Sequence, residues 1–251
     1  MGPMLGLSLK QLSSRWKLLL ILFLAALPIA LSGLLSATLG EDEPSSKEFI
    51  NTLLDALLIA GILPIVTLVL ATAAFGNELE DRTLSYLVLK PLPRSLIVLP
   101  KLLASIIVGS PFLIASGVAA TLIGGSSVGV GLLVLDGNIQ AALAVGVALF
   151  AGIVTYASIF TWAGLITTRA LAYGLVYVFL WEGLISTYFG GIRYLSVRGY
   201  VLAILHGIDD KSFEPLGDRV IEFPAALLGV TIVTLVFFLL TVRRLRRMDV
   251  P

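Results

Sequence analysis

Six long apolar runs constrain this chain more than any other feature. They extend over residues 18–39, 53–75, 96–123, 139–168, 170–189 and 223–242. A hydrocarbon core about 30 Å thick takes about 20 apolar residues of α-helix, which satisfies its own backbone hydrogen bonds. The alternating segments of a membrane barrel are only about 10 residues long. We therefore predict an all-α integral membrane protein with six transmembrane helices.

The composition agrees with a membrane protein and leaves little room for anything else. The chain has 251 residues, of which 58% are hydrophobic and 13% charged, whereas soluble domains carry about 25% charged residues. A formal net charge of +1 gives no overall field that would attract nucleic acid. Outside the runs, no stretch is longer than the one between Phe189 and Phe223. We predict a single transmembrane domain over residues 1–251, with no nucleic-acid partner.

The positions of lysine and arginine predict the orientation. With both termini in the cytosol, the cytosolic side holds 12 basic residues and the outside holds 5. The cytosolic set is Lys10, Arg15, Lys17, Arg82, Lys90, Arg94, Lys101, Arg169, Arg243, Arg244, Arg246 and Arg247. Because basic residues concentrate in cytosolic loops, the termini are predicted to be cytosolic and the chain is assigned to the cell membrane.

Residues 1–17 precede the first run and are predicted to form an interfacial helix. Leu5, Leu9, Leu12 and Trp16 recur at helical spacing on one face, which suits a helix at the membrane surface in contact with lipid. A frayed, solvated tail is the alternative. A cleaved signal peptide is disfavoured because its apolar core is typically about 7–15 residues, shorter than this run.

The segment over residues 191–222 is predicted to be external and too short and polar to cross the membrane. Apolar or aromatic side chains recur in it at helical spacing, namely Tyr194, Val197, Val201, Ile204 and Leu205. This pattern predicts a short amphipathic or re-entrant helix between the fifth and sixth spans.

A compact charged stretch, GNELEDRTLSYLVLK, separates the second apolar run from the third. Asn77 is a residue type that caps helix N-termini. Three acids follow and suit the positive end of a helix dipole: Glu78, Glu80 and Asp81. The predicted helix ends before Pro91, because proline disfavours the helical conformation of the residue that precedes it. These signals predict a cytosolic helix over residues 77–90.

One face of that predicted helix is apolar, with Leu84, Leu87 and Val88 along it. Such a face suits lipid headgroups, and it equally suits a matching groove on a cytosolic protein. Composition alone does not choose between the two.

The arrangement ELEDRTLSYLVLKPLPRSLIVLPK resembles the segment between the second and third spans of type-2 ABC-transporter permeases. The matching residues are Glu78, Glu80, Thr83, Leu84, Leu87, Pro91, Arg94 and Lys101. The chain departs from the family pattern at Arg82, Pro93 and Pro100, where glycine, serine and glycine are usual. The six spans, the cytosolic termini, the N-terminal interfacial helix and the external helix are also family features.

The resemblance implies a function and a set of partners. Residues 77–90 would be the coupling helix, with Asp81 and Val88 joining the matched residues in contact with a cytosolic ABC ATPase subunit. The resemblance implies two ATPase copies that bind ATP and Mg²⁺, and a second permease chain in a homodimer or heterodimer. Export of a lipid-like, drug-like or peptide substrate is expected, with membrane lipids around the chain.

The sequence offers little for catalysis or cofactors. A phosphate-binding loop of the type GxxxxGK[ST] is absent, and the single histidine, His206, cannot form a two-histidine zinc motif. We predict no enzyme activity, no metal site and no cofactor on this chain. The alternatives to an ATP-driven permease are an ATPase-independent channel or secondary transporter, and a membrane assembly factor for metalloenzyme maturation.

Glu182 is the one ionisable residue predicted to lie deep in the membrane, where an acid is costly unless it is paired. Tyr177 or a hydroxyl on the fourth span, such as Thr155 or Ser158, would be its partner. We leave two roles open for Glu182: it holds the helices together, or it lines the substrate pathway, to which Tyr177, Thr155 and Ser158 are also assigned.

Overall fold

The computed structural model describes residues 2–38, 52–80, 93–125, 138–167, 169–185, 194–210, 212–213 and 221–247. These residues form helices and connecting turns, with no strand among them, so the all-α prediction is confirmed. In chain order the elements are α1 (Gly2–Leu12), α2 (Arg15–Thr38), π1 (Leu54–Ile62), α3 (Leu63–Glu80), α4 (Ser95–Gly125), α5 (Asn138–Ile166), α6 (Ala170–Tyr177), π2 (Val178–Ile185), α7 (Val197–Ile208) and α8 (Phe223–Arg246).

Five of the described helical segments are long and apolar enough to cross a membrane. They are Arg15–Leu35, Leu54–Gly76, Ser95–Ile123, Ile139–Ile166 and Phe223–Arg246. The fifth predicted span is represented by a shorter apolar helix, Ala170–Gly183, and residues 186–189 lie outside the described part. The six-span count and the orientation therefore stay predictions.

The N-terminal region differs in its bounds from the predicted interfacial helix. α1 ends at Leu12, and a new helix begins at Arg15. The predicted apolar face is partly right, because Leu12 is buried and Leu5 and Leu9 pack against the core. Trp16 belongs to α2 instead and is 83% exposed.

α5 lies at the centre of the bundle and packs against α3, α4, α7 and α8. Its ridge of small residues, Ala144, Ala148 and Gly152, is buried. A Cβ added at Gly152 would lie 2.8 Å from a methyl carbon of Leu63 and 2.8 Å from one of Val201. The ridge therefore lets α3 and α7 approach α5 closely, as small residues do between membrane helices.

Two membrane segments begin or end in π-helix, a rare conformation found mostly at functional sites. π1 opens the second predicted span and π2 closes the described part of the fifth. The two segments contact each other, and π1 also contacts α7. Each of them carries one buried acid, Asp55 in π1 and Glu182 in π2.

α7 is the helix predicted within residues 191–222, and its apolar face is buried as expected. Val197, Val201, Ile204 and Leu205 are buried, whereas Tyr194 lies in the preceding turn and is 62% exposed. At the end of α7, the side-chain amide of Gln140, near the start of α5, donates to the carbonyl oxygen of Ile208. α7 therefore packs inside the bundle, against α5 and α8.

Candidate functional site

The first cluster lies where α3 ends and α4 begins, at the two sides of the charged stretch. Lys101, in the second turn of α4, is 4% exposed. Its Nζ lies 2.6 Å from Oε1 of Glu78 and donates a short hydrogen bond to the carbonyl oxygen of Ala74. The same nitrogen lies 4.7 Å from the ring centroid of Phe75, a cation–π contact.

All three partners of the Lys101 ammonium therefore come from the last two turns of α3. A buried ammonium needs such compensation, because an unpaired charge in an apolar interior is costly. We call this arrangement the Lys101 clasp; it consists of Lys101, Glu78, Ala74 and Phe75. It fixes the end of α3 to the beginning of α4 at the base of residues 81–92.

The clasp unites two residues that the resemblance assigned to ATPase coupling, Glu78 and Lys101. A third, Arg94, lies in the turn before α4, where its carbonyl oxygen accepts from the backbone N–H groups of Ile97 and Val98, both at 3.1 Å. Glu80 is the last residue of α3, and its side chain lies outside the described part. The other assigned residues also lie outside it: Asp81, Thr83, Leu84, Leu87, Val88 and Pro91.

The start of the predicted coupling helix needs one correction. α3 runs without a break through Asn77 to Glu80, so Asn77 is inside a helix and does not cap a new one. The apolar run before it already forms helix, and the capping signal is overridden by continuation of that helix. Whether a separate helix follows within residues 81–90 lies outside the described part of the chain.

The second cluster surrounds Glu182, which is 0% exposed. Its Oε1 accepts hydrogen bonds from the hydroxyl of Tyr177 at 3.1 Å and from the backbone N–H of Val197 at 3.1 Å. Its Oε2 accepts from the hydroxyl of Ser196 at 2.5 Å and from the backbone N–H of Arg198 at 3.4 Å. The expected bond to Tyr177 is confirmed, and the other three donors come from the start of α7.

These bonds satisfy the N-terminus of α7, where the first backbone N–H groups have no partner within the helix. Glu182 accepts from the first two of these groups, as described above. Ser196 is the N-cap: its hydroxyl accepts from Gly199 N–H at 3.3 Å and its carbonyl oxygen from Tyr200 N–H at 3.4 Å. The side-chain N–H of Trp181 also donates to the carbonyl oxygen of Leu195, at 3.3 Å.

An ion pair joins the same end of α7 to π1. Nε of Arg198 lies 2.9 Å from Oδ1 of Asp55, and Nη2 lies 2.6 Å from Oδ2. This two-pronged geometry is the strong form of an arginine–carboxylate pair. Both side chains are largely buried, so the pair is shielded from water. The beginning of α7 is thus bound to both π-helical segments, through Asp55 and Glu182.

Two hydroxyl groups on α5 that were named with Glu182 form hydrogen bonds within their own helix. Thr155 donates to the carbonyl oxygen of Ala151 at 2.8 Å, and Ser158 to that of Thr155 at 2.7 Å. Both side chains are buried. The assignment of Thr155, Ser158, Tyr177 and Glu182 to a substrate pathway stays a prediction. Among the residues that the structure describes, no three His, Asp or Glu side chains gather as a metal site would require.

Sequence reasoning does not identify Asp55, Arg198 and Ser196 as members of the cluster around Glu182. Asp55 lies in π1, near the end of a long apolar segment, and Arg198 lies in α7, and neither residue alone indicates a partner. Their pairing joins positions 143 residues apart, so it depends on how the helices pack. The one local signal was Ser196, a favoured capping residue directly before an apolar helical pattern.

Comparison with known proteins gives one family. A family model described as ABC-2 family transporter protein matches residues 13–181, about two thirds of the chain. The match runs from the end of α1 into π2 and includes the Lys101 clasp. A search of curated proteins gave no match.

Proposed function

The chain belongs to the ABC-2 family of transporter proteins, and from this premise we propose that it is the permease subunit of an ABC exporter. Its long apolar helices make it a multi-pass protein of the cell membrane. The family implies partnership with an ABC ATPase, which supplies the energy from a separate polypeptide. We further propose two ATPase copies, with ATP and Mg²⁺ bound there, and a second permease chain, so that two chains form one pathway.

The observation that best supports coupling to an ATPase is the Lys101 clasp. Residues 81–92 connect the end of α3 to the turn that precedes α4. Because Lys101 and Glu78 join these two ends at 2.6 Å, a force on the intervening segment reaches both helices together. A segment that a partner protein pushes needs such a fixed base.

The clasp also changes the role that we assign to Glu78. Its carboxylate is bound to Lys101 and largely buried, so we propose that it holds the base of the coupling segment. Contact with the ATPase is then assigned to the residues further along: Glu80, Asp81, Thr83, Leu84, Leu87 and Val88. Pro91 and Arg94 would form the rigid return to α4.

Of the two roles left open for Glu182, we propose the structural one, because its carboxylate oxygens are bound to Tyr177 and to the start of α7. The substrate is proposed to be lipid-like, drug-like or a peptide, which suits an apolar interior with scattered hydroxyls. Thr155 and Ser158 remain the proposed pathway residues on α5.

Copurification tests the proposed function. The tagged chain, extracted in mild detergent from its native host, is expected to bring down an ABC ATPase, identified by mass spectrometry. Replacing Glu80 and Leu84 together by lysine should abolish this association while leaving membrane insertion unchanged. The matched control replaces Asp210 and Glu222, exposed residues on the predicted external side, by lysine and should retain the ATPase. Equal recovery from both double variants would reject the assignment.

A further inference from the structure

The contacts of α7 place it in the outer half of the predicted membrane domain, with its N-terminus deepest. Glu182 is the thirteenth residue of the helix that begins at Ala170, so it lies about 18 Å from the cytosolic end at a rise of about 1.5 Å per residue. Gly152, which contacts Val201, lies about 21 Å from the cytosolic end of α5 by the same count. The first half of α7 therefore lies near mid-depth.

The other end of α7 lies at the outer rim. Gln140 binds Ile208 from the first turn of α5, and a Cβ added at Gly207 would lie 2.4 Å from the ring of Phe223, the first residue of α8. From Val201, which contacts Gly152, to Ile208, which binds Gln140, α7 advances about 10 Å toward the outer end of α5. α7 thus stands along the bundle, with its N-terminus pointing inward.

A helix N-terminus at this depth poses an energetic problem. Its first N–H groups have no partner within the helix, and its positive dipole end lies in the membrane, where an unsatisfied polar group is costly. Here a carboxylate meets both requirements, because one oxygen accepts from Val197 N–H and the other from Arg198 N–H. An amide in place of the carboxylate would turn an N–H₂ donor toward one of these donors.

Packing shows what the anchored helix does. Val201 and Ile204 are 0% exposed, and Val201 fills the space left by Gly152 on α5. On the other side, a Cβ added at Gly229 of α8 would lie 2.5 Å from the ring of Tyr200. α7 therefore packs directly against α5 on one side and against α8 on the other.

We propose that Glu182 is a positioning residue: it anchors the N-terminus of α7 inside the membrane, and α7 held in this way closes the outer half of the bundle to water. Asp55 supports the anchor through Arg198. The inference rests on the proposed function in one respect: a transporter needs the outer half of its bundle closed at rest. The proposed barrier involves no ATPase, so the labelling experiment tests it independently of the copurification experiment.

Cysteine labelling tests the proposal, because the chain has no native cysteine and each introduced thiol is unique. The reporter is Val201→Cys in purified protein in lipid nanodiscs, treated with a charged, water-soluble maleimide. In the otherwise unchanged chain it should react slowly. With Glu182→Gln added, the labelling rate should rise at least about tenfold, from loss of a cap and of charged hydrogen bonds.

Three controls make the result specific. Asp210→Cys, at an exposed site after α7, should react quickly in every background. Leu165→Cys, buried near the cytosolic end, should stay unreactive with Glu182→Gln, whereas general loosening of the fold would expose it. Glu222→Gln removes an exposed acid directly before the first residue of α8 and should leave the Val201→Cys rate unchanged.

A second variant covers the case in which Glu182→Gln does not fold. Ser196→Ala keeps the acid but removes one donor to it and the acceptor for Gly199 N–H, and it should produce a smaller rise at Val201→Cys. Rapid labelling of Val201→Cys in the unchanged chain would overturn the proposal. An unchanged slow rate in the folded Glu182 or Ser196 variant would also overturn it.

Discussion

Two buried charged residues define the chemistry of this chain at the level of single side chains. Lys101 and Glu182 both lie inside the apolar bundle, and each is compensated by groups from a neighbouring helix. Lys101 binds the end of α3, and Glu182 binds the start of α7. For Glu182, the negative charge lies against the positive end of the α7 dipole, which is the favourable arrangement.

Replacing Lys101 by methionine is expected to destabilise the protein, because it leaves Glu78 buried without its cation. Removing one partner of a buried pair costs about 3–5 kcal/mol. Adding Glu78→Gln to Lys101→Met should recover much of that loss, since no uncompensated charge then remains. Thermal unfolding in detergent measures both variants. A double variant that is less stable than Lys101→Met alone would show that the pair is not what holds this site.

His206 predicts a pH dependence near the outer end of α7. Burial lowers the pKa of His206, while the carbonyl oxygen of Phe213 and the nearby Asp210 and Asp55 oppose that shift. The unfolded segment takes up a proton as the pH falls through about 6.5, whereas the folded segment does so only at lower pH. Neutral His206 therefore makes its full contribution to the stability of the folded segment above about pH 6.5, and this contribution is lost as the pH falls.

Hydrogen exchange over residues 197–213 at about pH 7.5 and about pH 5.5, corrected for the intrinsic rate, measures this effect. Protection should be lower at the acidic pH, and His206→Gln should remove the difference. Equal protection at both pH values in the unchanged chain would contradict the assignment.

The sequence carried enough information to predict Glu182 as a special residue but not its full environment. A charge in a long apolar run stands out because it is costly there, and Tyr177 is close enough in sequence to be proposed as a partner. The bonds to Ser196 and Val197 were not predictable, because they depend on where α7 returns into the bundle. The same holds for the pairing of Asp55 with Arg198.

At the level of elements, run length located the long helices well. The predicted runs 96–123 and 139–168 correspond to α4 (Ser95–Gly125) and α5 (Asn138–Ile166), because apolar length directly reports what a membrane helix needs. The π-helical segments were not predicted. The hydrophobic pattern of these two segments does not distinguish a π-helix from an α-helix. We attribute the π conformation to the contacts among π1, π2 and α7.

Gly152 tests whether the close approach of three elements stabilises the bundle. Valine at this position would place methyl groups into Leu63 of α3 and Val201 of α7, which lie 2.8 Å from even a single added Cβ. Overpacking of this kind costs about 1–3 kcal/mol, or about 2–12 °C in Tm. The matched control is Gly33→Val on α2, where a Cβ meets nothing within 4 Å. Equal Tm values for the two variants would contradict the packing account.

At the level of the whole molecule, the fold connects the end of the bundle that carries the Lys101 clasp with the end that carries α7. The Lys101 clasp closes the base of the segment between α3 and α4, and the bonds of Glu182 and Asp55 fix α7 between α5 and α8. The central helix α5 contacts elements that take part at each end, α4 and α7. In the proposed function, a motion begun at residues 81–92 would reach α7 through α3 and α5, which pack against each other.

The overall class was predictable from the sequence because apolar run length, basic-residue placement and the coupling motif agree with one another. The ABC-2 family match over residues 13–181 confirms the resemblance. The sequence alone does not determine whether the chain dimerises, which substrate it carries or in which direction. Dimerisation depends on surfaces of a second chain, and the other two properties depend on groups that come together only in the folded protein.

The central claim is that the segment proposed to contact the ATPase, residues 80–88, faces the cytosol. Single cysteines at Ser85 and, as the matched control, at Ser127 in the predicted external loop are labelled in intact cells with a membrane-impermeant maleimide. We predict that the Ser127 variant reacts in intact cells, whereas the Ser85 variant reacts only after the membrane is permeabilised. Labelling of the Ser85 variant in intact cells would contradict the account.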